Sequence, residues 1–266
     1  QPGRNMVSSE KGLPTTFVPG AKRDGAVDMA TTENVEWAAA IGSNNCSTPA
    51  VGEGKVVIGG VKNKQGLVLC FDQATGKLEW QLAVPMRTVP EKIDGRKYWY
   101  RVFPPSLGIC SSPAIENGRV YLVTQRCEVI CLDLAGLANG NDGPFVDEKA
   151  YCSPPDKDPG EGKLPGGDVI WLFDMYDRLG VRPSDACNCS VVIVGDFVYV
   201  CTSNGIDRDA DARTKDEFRK APAPEAPTLI VLDKRTGELV ARDDEKGIIQ
   251  NTLHGQWSSP SAGRVG

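Results

Sequence analysis

Four residues stand at one position of a repeated segment, where a ring of reactive side chains could form. Cys46, Cys110 and Cys189 each precede a Ser and a short apolar strand, and Trp257 opens a fourth copy. A ring of thiols could bind a metal or carry out redox chemistry. Alternatively, a small residue is simply accommodated there, because free cysteine behaves as a small buried hydrophobe. We favour this second interpretation.

The remaining thiols divide into core and candidate reactive positions. Cys70 and Cys131 share one place on a later strand, which predicts that both are buried. Cys127 lies four residues before Cys131, so on one strand face the two would be more than about 10 Å apart and unable to form a disulfide. Cys152, in a loop, and Cys201, at a strand end, are the best candidates for reactive or bridged thiols.

Several kinds of site are not supported by the residues. The sequence has no C-x-x-C, and its single histidine, His254, is expected to fix a turn, so no zinc site is predicted. The acidic run Asp207–Asp211 lacks the glycine and terminal glutamate of a calcium loop and is predicted to be solvated. We find no nucleophile–base pair, and we predict neither catalytic residues nor metal ligands.

Charge and hydropathy exclude two further classes. The net charge of −5 argues against nucleic-acid binding, which needs a basic stripe. No apolar run approaches the roughly 18–20 residues of a membrane-spanning helix, so no transmembrane segment is predicted. The chain begins at Gln1 and stops within a repeat, and we therefore expect a fragment.

The elements that position these residues form a repeat. Each copy contains a short apolar strand, a Gly-containing turn, a β-branched strand, a third strand ending in Asp72, Asp133 or Asp233, and a closing strand. The hydrophobic period is near two, and four-stranded units of this length are propeller blades. The sequence therefore predicts an all-β propeller with about three blades present. The four positions considered first would then encircle the channel mouth, with equivalent atoms of neighbouring blades roughly 10 Å apart.

The repeat sets the predicted boundaries. Residues 1–33 are an N-terminal extension, and 34–266 are a partial propeller. The predicted segments are blade 1 at about 45–83, blade 2 at about 109–175, blade 3 at about 187–243, the start of blade 4 at about 256–266, and 34–40 as the closing strand of the last blade.

Three loops interrupt or join the blades and are predicted to bind protein partners, because loops on rigid scaffolds carry recognition. Loop 84–107 holds an aromatic and basic cluster at Lys97–Arg101. Loop 134–167 is rich in Gly, Pro and Asp, and loop 203–227 combines charges with a helix-like segment at Thr214–Lys220.

The blades resemble those of quinoprotein-type (PQQ-like) β-propellers. That family carries Ala-x-Asp-x-x-Thr-Gly-x-x-x-Trp, which Phe71–Trp80 matches well. The resemblance implies that Trp37, Trp80 and Trp171 dock between adjacent blades. In the third copy Ala241 stands in the tryptophan position, so the contact there is expected to be weaker.

More closely, the chain resembles planctomycete-type PQQ-like repeat proteins named by analogy with the assembly factor BamB. Arg4–Ser8, Cys110–Pro113, Arg126–Val129, Gly136–Phe145 and Trp257–Pro260 carry this likeness. It implies a ring of eight, or alternatively seven, blades, exported to the periplasm or the cell exterior. The expected function is a binding or assembly scaffold that acts through its loops.

The alternative function is a PQQ-dependent alcohol or sugar dehydrogenase, which would pair PQQ with Ca²⁺ or a lanthanide. Many such alcohol-oxidising enzymes cover PQQ with a disulfide of adjacent cysteines, and the nearest feature here is Cys187-Asn188-Cys189. No residue of the family's quinone or metal shell maps onto this chain. No cofactor is therefore evident, and PQQ is implied by the resemblance alone, with its shell in blades that the chain lacks.

Overall fold

A computed structural model describes residues 11–87, 92–93, 96–97, 106–153, 166–183, 186–205, 223–245 and 256–263. Three four-stranded antiparallel sheets form the body, and in each sheet the strands lie side by side in chain order. The prediction of an all-β propeller fold with four-stranded blades is confirmed. Within the described residues, no helix has the length and apolarity to cross a membrane.

The strands of each blade follow the repeat closely. Ahead of the blades stand a small hairpin and a 3₁₀ turn, namely β1 (Lys22–Arg23), β2 (Ala26–Val27) and Met29–Thr31. Blade 1 consists of β3 (Ala50–Gly52), β4 (Lys55–Lys62), β5 (Gln65–Asp72) and β6 (Leu78–Val84). The loop after it contains the short pair β7 (Lys92–Ile93) and β8 (Arg96–Lys97).

Blades 2 and 3 have the same order, with an insertion in each. Blade 2 consists of β9 (Ala114–Glu116), β10 (Arg119–Val123), β11 (Glu128–Asp133) and β12 (Val169–Asp174). Blade 3 consists of β13 (Val192–Val194), β14 (Phe197–Cys201), β15 (Leu229–Asp233) and β16 (Leu239–Arg242). The helical elements of blade 2 and its exit are a 3₁₀ turn at Gly136–Ala138, α1 (Glu148–Cys152) and α2 (Met175–Leu179).

The core lies between blades, because each blade presents side chains on both faces. In β10, Val120 and Leu122 join a cluster with blade 1, whereas Tyr121 and Val123 join a cluster with blade 3. This alternation follows from the two-residue period of a strand. Blade 2 is therefore buried on both faces, which explains why all six residues of β11 are buried.

One irregularity recurs in every blade. The register between the third and fourth strands shifts by a bulge after Cys70, after Cys131 and after Val231. These residues face Trp80, Trp171 and Ala241 respectively across the sheet. A bulge re-aims the side chains beside it, so the tryptophan position has the same backbone setting in all three blades.

The aspartates that end the third strands stabilise the turns that follow them. Asp72 accepts hydrogen bonds from the Thr75 amide (2.8 Å) and hydroxyl (2.6 Å). Asp233 accepts from the amides of Arg235 (2.8 Å) and Thr236 (3.1 Å). These donors favour the charged carboxylate and lower the pKa of both aspartates.

Candidate functional site

Three tryptophans connect one blade, or the segment before blade 1, to the next blade. Each indole N–H donates to a backbone carbonyl of the following blade. The acceptor residue comes directly after the aspartate that ends the third strand of that blade. The pairs are Trp37 with Gln73 (2.9 Å), Trp80 with Leu134 (2.9 Å) and Trp171 with Lys234 (3.1 Å). The structure thus places Trp80 and Trp171 at blade-to-blade contacts and Trp37 at a contact between the segment before blade 1 and blade 1.

A glycine lies beneath each indole. Gly76, Gly136 and Gly237 have φ of +69°, +62° and +71°, and a Cβ there would lie 2.4, 2.8 and 2.5 Å from Trp37, Trp80 and Trp171 in turn. Glycine is therefore required both for the left-handed backbone and for the close approach of the ring. Trp80 and Trp171 are buried, whereas Trp37 is half-buried.

The segment around Trp37 differs from its expected form. Residues 35–40 do not lie in a strand, although Trp37 packs on Phe71 of blade 1 with ring centroids 6.1 Å apart. A closing strand needs the rest of its sheet for hydrogen bonding. The assignment of 34–40 to the last blade thus stays a prediction.

The entries to the inner strands are joined by a series of hydrogen bonds. The Thr48 amide donates to Ser112 Oγ (2.9 Å), the Ser112 amide to Ser190 Oγ (2.8 Å), and the Ser190 amide to Ser259 Oγ (3.0 Å). These bonds connect the three blades and the start of the fourth unit.

This series corrects the proposed ring of equivalent cysteines. Because Ser190 takes the place of Ser112, Cys189 corresponds to Ser111 and not to Cys110. Cys46 and Trp257 are exposed, whereas Cys110 and Cys189 are buried, so a uniform ring of small buried side chains is not formed.

The predicted separation of thiols in neighbouring blades is also wrong. The Cys46 and Cys110 thiols are in hydrogen-bonding contact, and beside them Ser47 Oγ donates to the Ser111 carbonyl (3.0 Å). The entry segments approach each other far more closely than the face-to-face spacing of sheets, since they converge at the inner edge of the blades.

Two more thiol contacts were not predicted. Cys187 contacts Cys127, and Cys201 contacts Cys189. Cys127 lies in the turn before β11 with φ +65°, so the expectation that it shares a strand face with Cys131 is wrong.

Burial and hydrogen bonding shift the pKa values of the thiols in different directions. Desolvation raises the pKa of Cys70, Cys110, Cys131 and Cys152 to about 12. A hydrogen bond from Cys189 lowers the pKa of Cys201. The pKa is thus lowered for Cys201 and raised for Cys152, and the reactivity of both predicted thiols stays a prediction.

A buried ionic cluster fixes the start of loop 84–107. The Arg87 guanidinium pairs with Asp174, with Asp177 (3.0 Å) and with Glu128 (3.5 Å), and its Nε donates to the Arg126 carbonyl (3.0 Å). These carboxylates hold the pKa of Arg87 above its usual value against the opposing effect of burial. Arg87 thereby ties the exit of blade 1 to blade 2.

Glu128 is the buried centre of this cluster. It accepts from the Tyr151 hydroxyl (2.7 Å), Thr124 Oγ1 (3.0 Å) and Arg126 Nε (2.9 Å). Burial raises the pKa of Glu128, and the nearby arginines and the Tyr151 hydroxyl oppose that rise. The sequence offered no local signal for this cluster, because its members come from four separate segments.

A second group of carboxylates lies where the insertion of blade 2 meets its strands. One oxygen from each of Asp133, Asp142 and Asp168 lies within 4.8 Å of the others. The buried Glu148 is next to them and accepts from the Val169 amide (3.2 Å) and from Asn141 Nδ2 (2.9 Å). Carboxylate oxygens in this number could bind a hard cation. No metal ligand was predicted here, since Asp133 was assigned to a turn alone.

The predicted binding loops do not share one end of the blades. In an antiparallel blade, the turn between the second and third strands and the exit of the fourth strand lie at the same end. Loops 84–107 and 203–227 are rooted there, at what we call the loop end, together with turn 124–127 and the connection 174–191. Loop 134–167 begins at the opposite end.

Several predicted features lie outside the described residues. These are Lys97–Arg101 apart from the backbone of Lys97, the acidic run Asp207–Asp211, the helix-like Thr214–Lys220, and His254.

PQQ binding, which the resemblance alone implies, stays a prediction. PQQ is a planar tricarboxylate, so its binding requires cationic side chains around a flat slot. Within the described ranges, five part-buried cations already pair with protein carboxylates, namely Lys55, Arg87, Arg119, Arg126 and Lys234. We derive no chemical step through this group.

Comparison with solved structures gives low similarity in each case. A quinohemoprotein alcohol dehydrogenase from Comamonas testosteroni is 13% identical with a TM-score of 0.42, covering 75% of this chain and 21% of that one. BamB from Moraxella catarrhalis is 13% identical with a TM-score of 0.28 (79% and 54% covered). The C-terminal domain of Pseudomonas aeruginosa PilY1 is 15% identical with a TM-score of 0.32 (79% and 37% covered). The chain thus spans between about a fifth and about half of these proteins.

Sequence comparison is more specific. No curated protein matches the chain at a significant level. The family model described as outer membrane protein assembly factor BamB matches residues 15–136, which contain blade 1 and the first three strands of blade 2. This match covers a little under half of the chain and, with the recurrent strands, turns and docked tryptophans, supports a PQQ-like repeat protein that is similar to the BamB-like family.

Proposed function

We propose that this chain belongs to an exported, non-catalytic propeller that binds other proteins through loops at its loop end, in the periplasm or outside the cell. The matched family is described as an outer membrane assembly factor, which supports both a role in protein association and this location. The proposal concerns loops 84–107 and 203–227 first, because both are rooted at that end.

The observation that carries the proposal is the Arg87 cluster. A binding loop gains affinity when its base is already ordered, since less conformational entropy is then lost on association. Arg87 fixes the start of loop 84–107 through three carboxylates, and Gln125 Nε2 donates to the Val84 carbonyl (2.7 Å). The indole bonds of Trp80 and Trp171 link the three blades beneath these loops.

Loop 203–227 is anchored in the same manner at its base. The buried Asn204 donates through Nδ2 to the Ala223 carbonyl (2.9 Å), and Thr202 Oγ1 donates to the Pro227 carbonyl (2.7 Å). These two bonds hold together the ends of the insertion, which lies between β14 and β15 of blade 3. Two anchored loops at one end provide a composite surface for a protein partner.

Site-specific photo-crosslinking tests this function. A benzoylphenylalanine at Tyr98, within loop 84–107, is expected to give discrete adducts with envelope proteins when the full natural protein is irradiated in its own cell envelope. The matched probe replaces Ala74, an exposed residue in a turn at the opposite end. We expect adducts several-fold stronger from position 98 than from position 74.

Equal labelling from both positions, or no adducts from position 98, would contradict the proposal. A separate arm adds PQQ and Ca²⁺ to the same protein. Dye reduction with an alcohol or sugar, together with a bound quinone absorbance, would replace the scaffold function with the dehydrogenase alternative.

A further inference from the structure

The carboxylate group of blade 2 joins the insertion to both strands that it interrupts. Asp133 ends β11, Asp168 precedes β12, and Asp142 lies within the insertion itself. The three contribute oxygens within 4.8 Å of one another although Asp142 and Asp168 are 26 residues apart. Carboxylates repel one another at this distance, so their approach is relieved by a cation, by hydrogen-bond donors or by protonation of one of them.

The protein supplies only part of that compensation. Asp133 accepts from Arg119 (2.8 Å) and from the Ala135 amide (2.7 Å). Asp168 accepts from the Asp142 amide through Oδ2 (3.0 Å). Its other oxygen, Oδ1, is buried without a hydrogen-bond partner, and the residue is fully inaccessible to solvent.

An unpartnered buried carboxylate oxygen is costly, because the group has lost its water and gained nothing in exchange. Glu148, which is also buried, adds a further negative charge beside Asp168. The guanidinium of Arg119 pairs with Asp133 on the other side of the group. The buried oxygen of Asp168 therefore lacks a positive partner among the described residues.

We propose that Asp133, Asp142 and Asp168 bind a calcium ion, which fastens the insertion of blade 2 to its strands. Two oxygens bound to one Ca²⁺ at about 2.3–2.6 Å lie at most about 5 Å apart, in accord with the observed limit of 4.8 Å. Mg²⁺ binds at about 2.0–2.1 Å in a strict octahedron and keeps several of its waters, which disfavours it where two of the three carboxylates are buried. This site does not depend on the scaffold function.

The test measures cation binding directly on the full chain. Terbium(III), a luminescent stand-in of calcium's size, is expected to show luminescence sensitised by Trp80, whose indole bonds to Leu134 beside Asp133. Calcium should displace it, and a large excess of magnesium should not. In thermal unfolding, 1 mM Ca²⁺ against a chelator is expected to raise Tm by about 5 °C for a site of roughly 10 μM affinity.

Two variants and one matched control decide the assignment. Asp168→Asn removes the buried ligand, and Asp142→Asn removes an exposed one, so the second should fold normally whatever the first does. Both are expected to weaken Ca²⁺ binding at least about tenfold. Asp72→Asn changes the equivalent third-strand aspartate of blade 1, which has no such group of carboxylates around it among the described residues, and should leave the calcium response intact.

The proposal is overturned if Ca²⁺ neither quenches terbium luminescence nor shifts Tm in the unsubstituted chain. It is equally overturned if Asp142→Asn retains full affinity, or if Asp72→Asn loses as much affinity as Asp142→Asn does. Displacement of terbium by magnesium as effectively as by calcium would also contradict it.

Discussion

Replacing Trp80 with alanine is expected to be among the most damaging single changes in the described blades. The side chain is 4% exposed and packs over Gly136 and Gly166, and its N–H bonds to the Leu134 carbonyl. An indole that buries roughly 200 Å² contributes about 5 kcal/mol at 25 cal/mol per Å². Measured losses for Trp→Ala in packed cores are about 3–5 kcal/mol, which corresponds to a decrease in Tm of about 10–15 °C.

Two further variants separate the contributions. Trp80→Phe keeps most of the burial but leaves the Leu134 carbonyl unpaired, so we expect a loss of about 1–2 kcal/mol. Trp37→Ala removes a half-buried indole in the same arrangement and is expected to cost about 2 kcal/mol. The control is Ala241→Trp, which places an indole at the equivalent but exposed position of blade 3 and should change stability by less than about 0.5 kcal/mol.

Urea unfolding followed by circular dichroism gives these free energies without depending on tryptophan fluorescence. We expect Trp80→Ala to lower the free energy of unfolding clearly more than Trp37→Ala, because the two indoles differ in burial while each makes one hydrogen bond to a backbone carbonyl. Equal losses for both variants, or a loss below about 1 kcal/mol for Trp80→Ala, would refute burial at the blade contact as the dominant effect.

Three further predictions concern Arg87, Asp72 and the cysteine thiols. Arg87→Met should lower the free energy of unfolding by about 2 kcal/mol in urea titrations, since it removes a positive partner from the half-buried Asp174 and from the buried Glu128, which keeps Arg126 and Tyr151, and an unchanged midpoint would contradict the cluster. The pKa of Asp72 is lowered by Thr75, so its contribution to stability is present above the unfolded value of 3.8 and lost as pH falls through the folded pKa. Asp72→Asn should therefore have a lower Tm than the unsubstituted chain at neutral pH but the same Tm in strong acid. A difference in Tm that persists in strong acid would show that ionisation of Asp72 is not the cause. With a thiol reagent and mass mapping, Cys46 and Cys201 should react before the other seven cysteines, which should react only on unfolding, and early labelling of a buried thiol would be the contrary result.

Most of the fold follows from local sequence pattern. The recurrent short apolar strands, the aspartate-led turns and the spacing of the copies predicted the blades, because strands and turns depend on residues a few positions apart. The tryptophan positions were assigned through the resemblance to PQQ-like blades, because only Trp80 directly follows a Thr-Gly turn, whereas Trp171 follows an insertion and Trp37 has no preceding blade. In blade 2 the insertion between β11 and β12 separates the closing strand from the rest of the repeat in sequence, but the order of the strands is unchanged.

Contacts between distant residues were decided by tertiary packing. The closeness of Cys46 and Cys110 was missed because sheet spacing was applied to segments that converge at the inner edge. The place of Cys189 was off by one residue, since only the bonds between entry segments reveal the alignment in the shorter third copy.

The two charged clusters show the same division most clearly. Arg87 and Asp174 are 87 residues apart, and Asp133 meets Asp142 and Asp168 only because an insertion folds back onto the strands it interrupts. The sequence alone determined the blades, their turns and their docking tryptophans, all of which repeat. The structure decided which carboxylates and thiols meet, because those contacts occur once and depend on how blades and insertions pack in three dimensions.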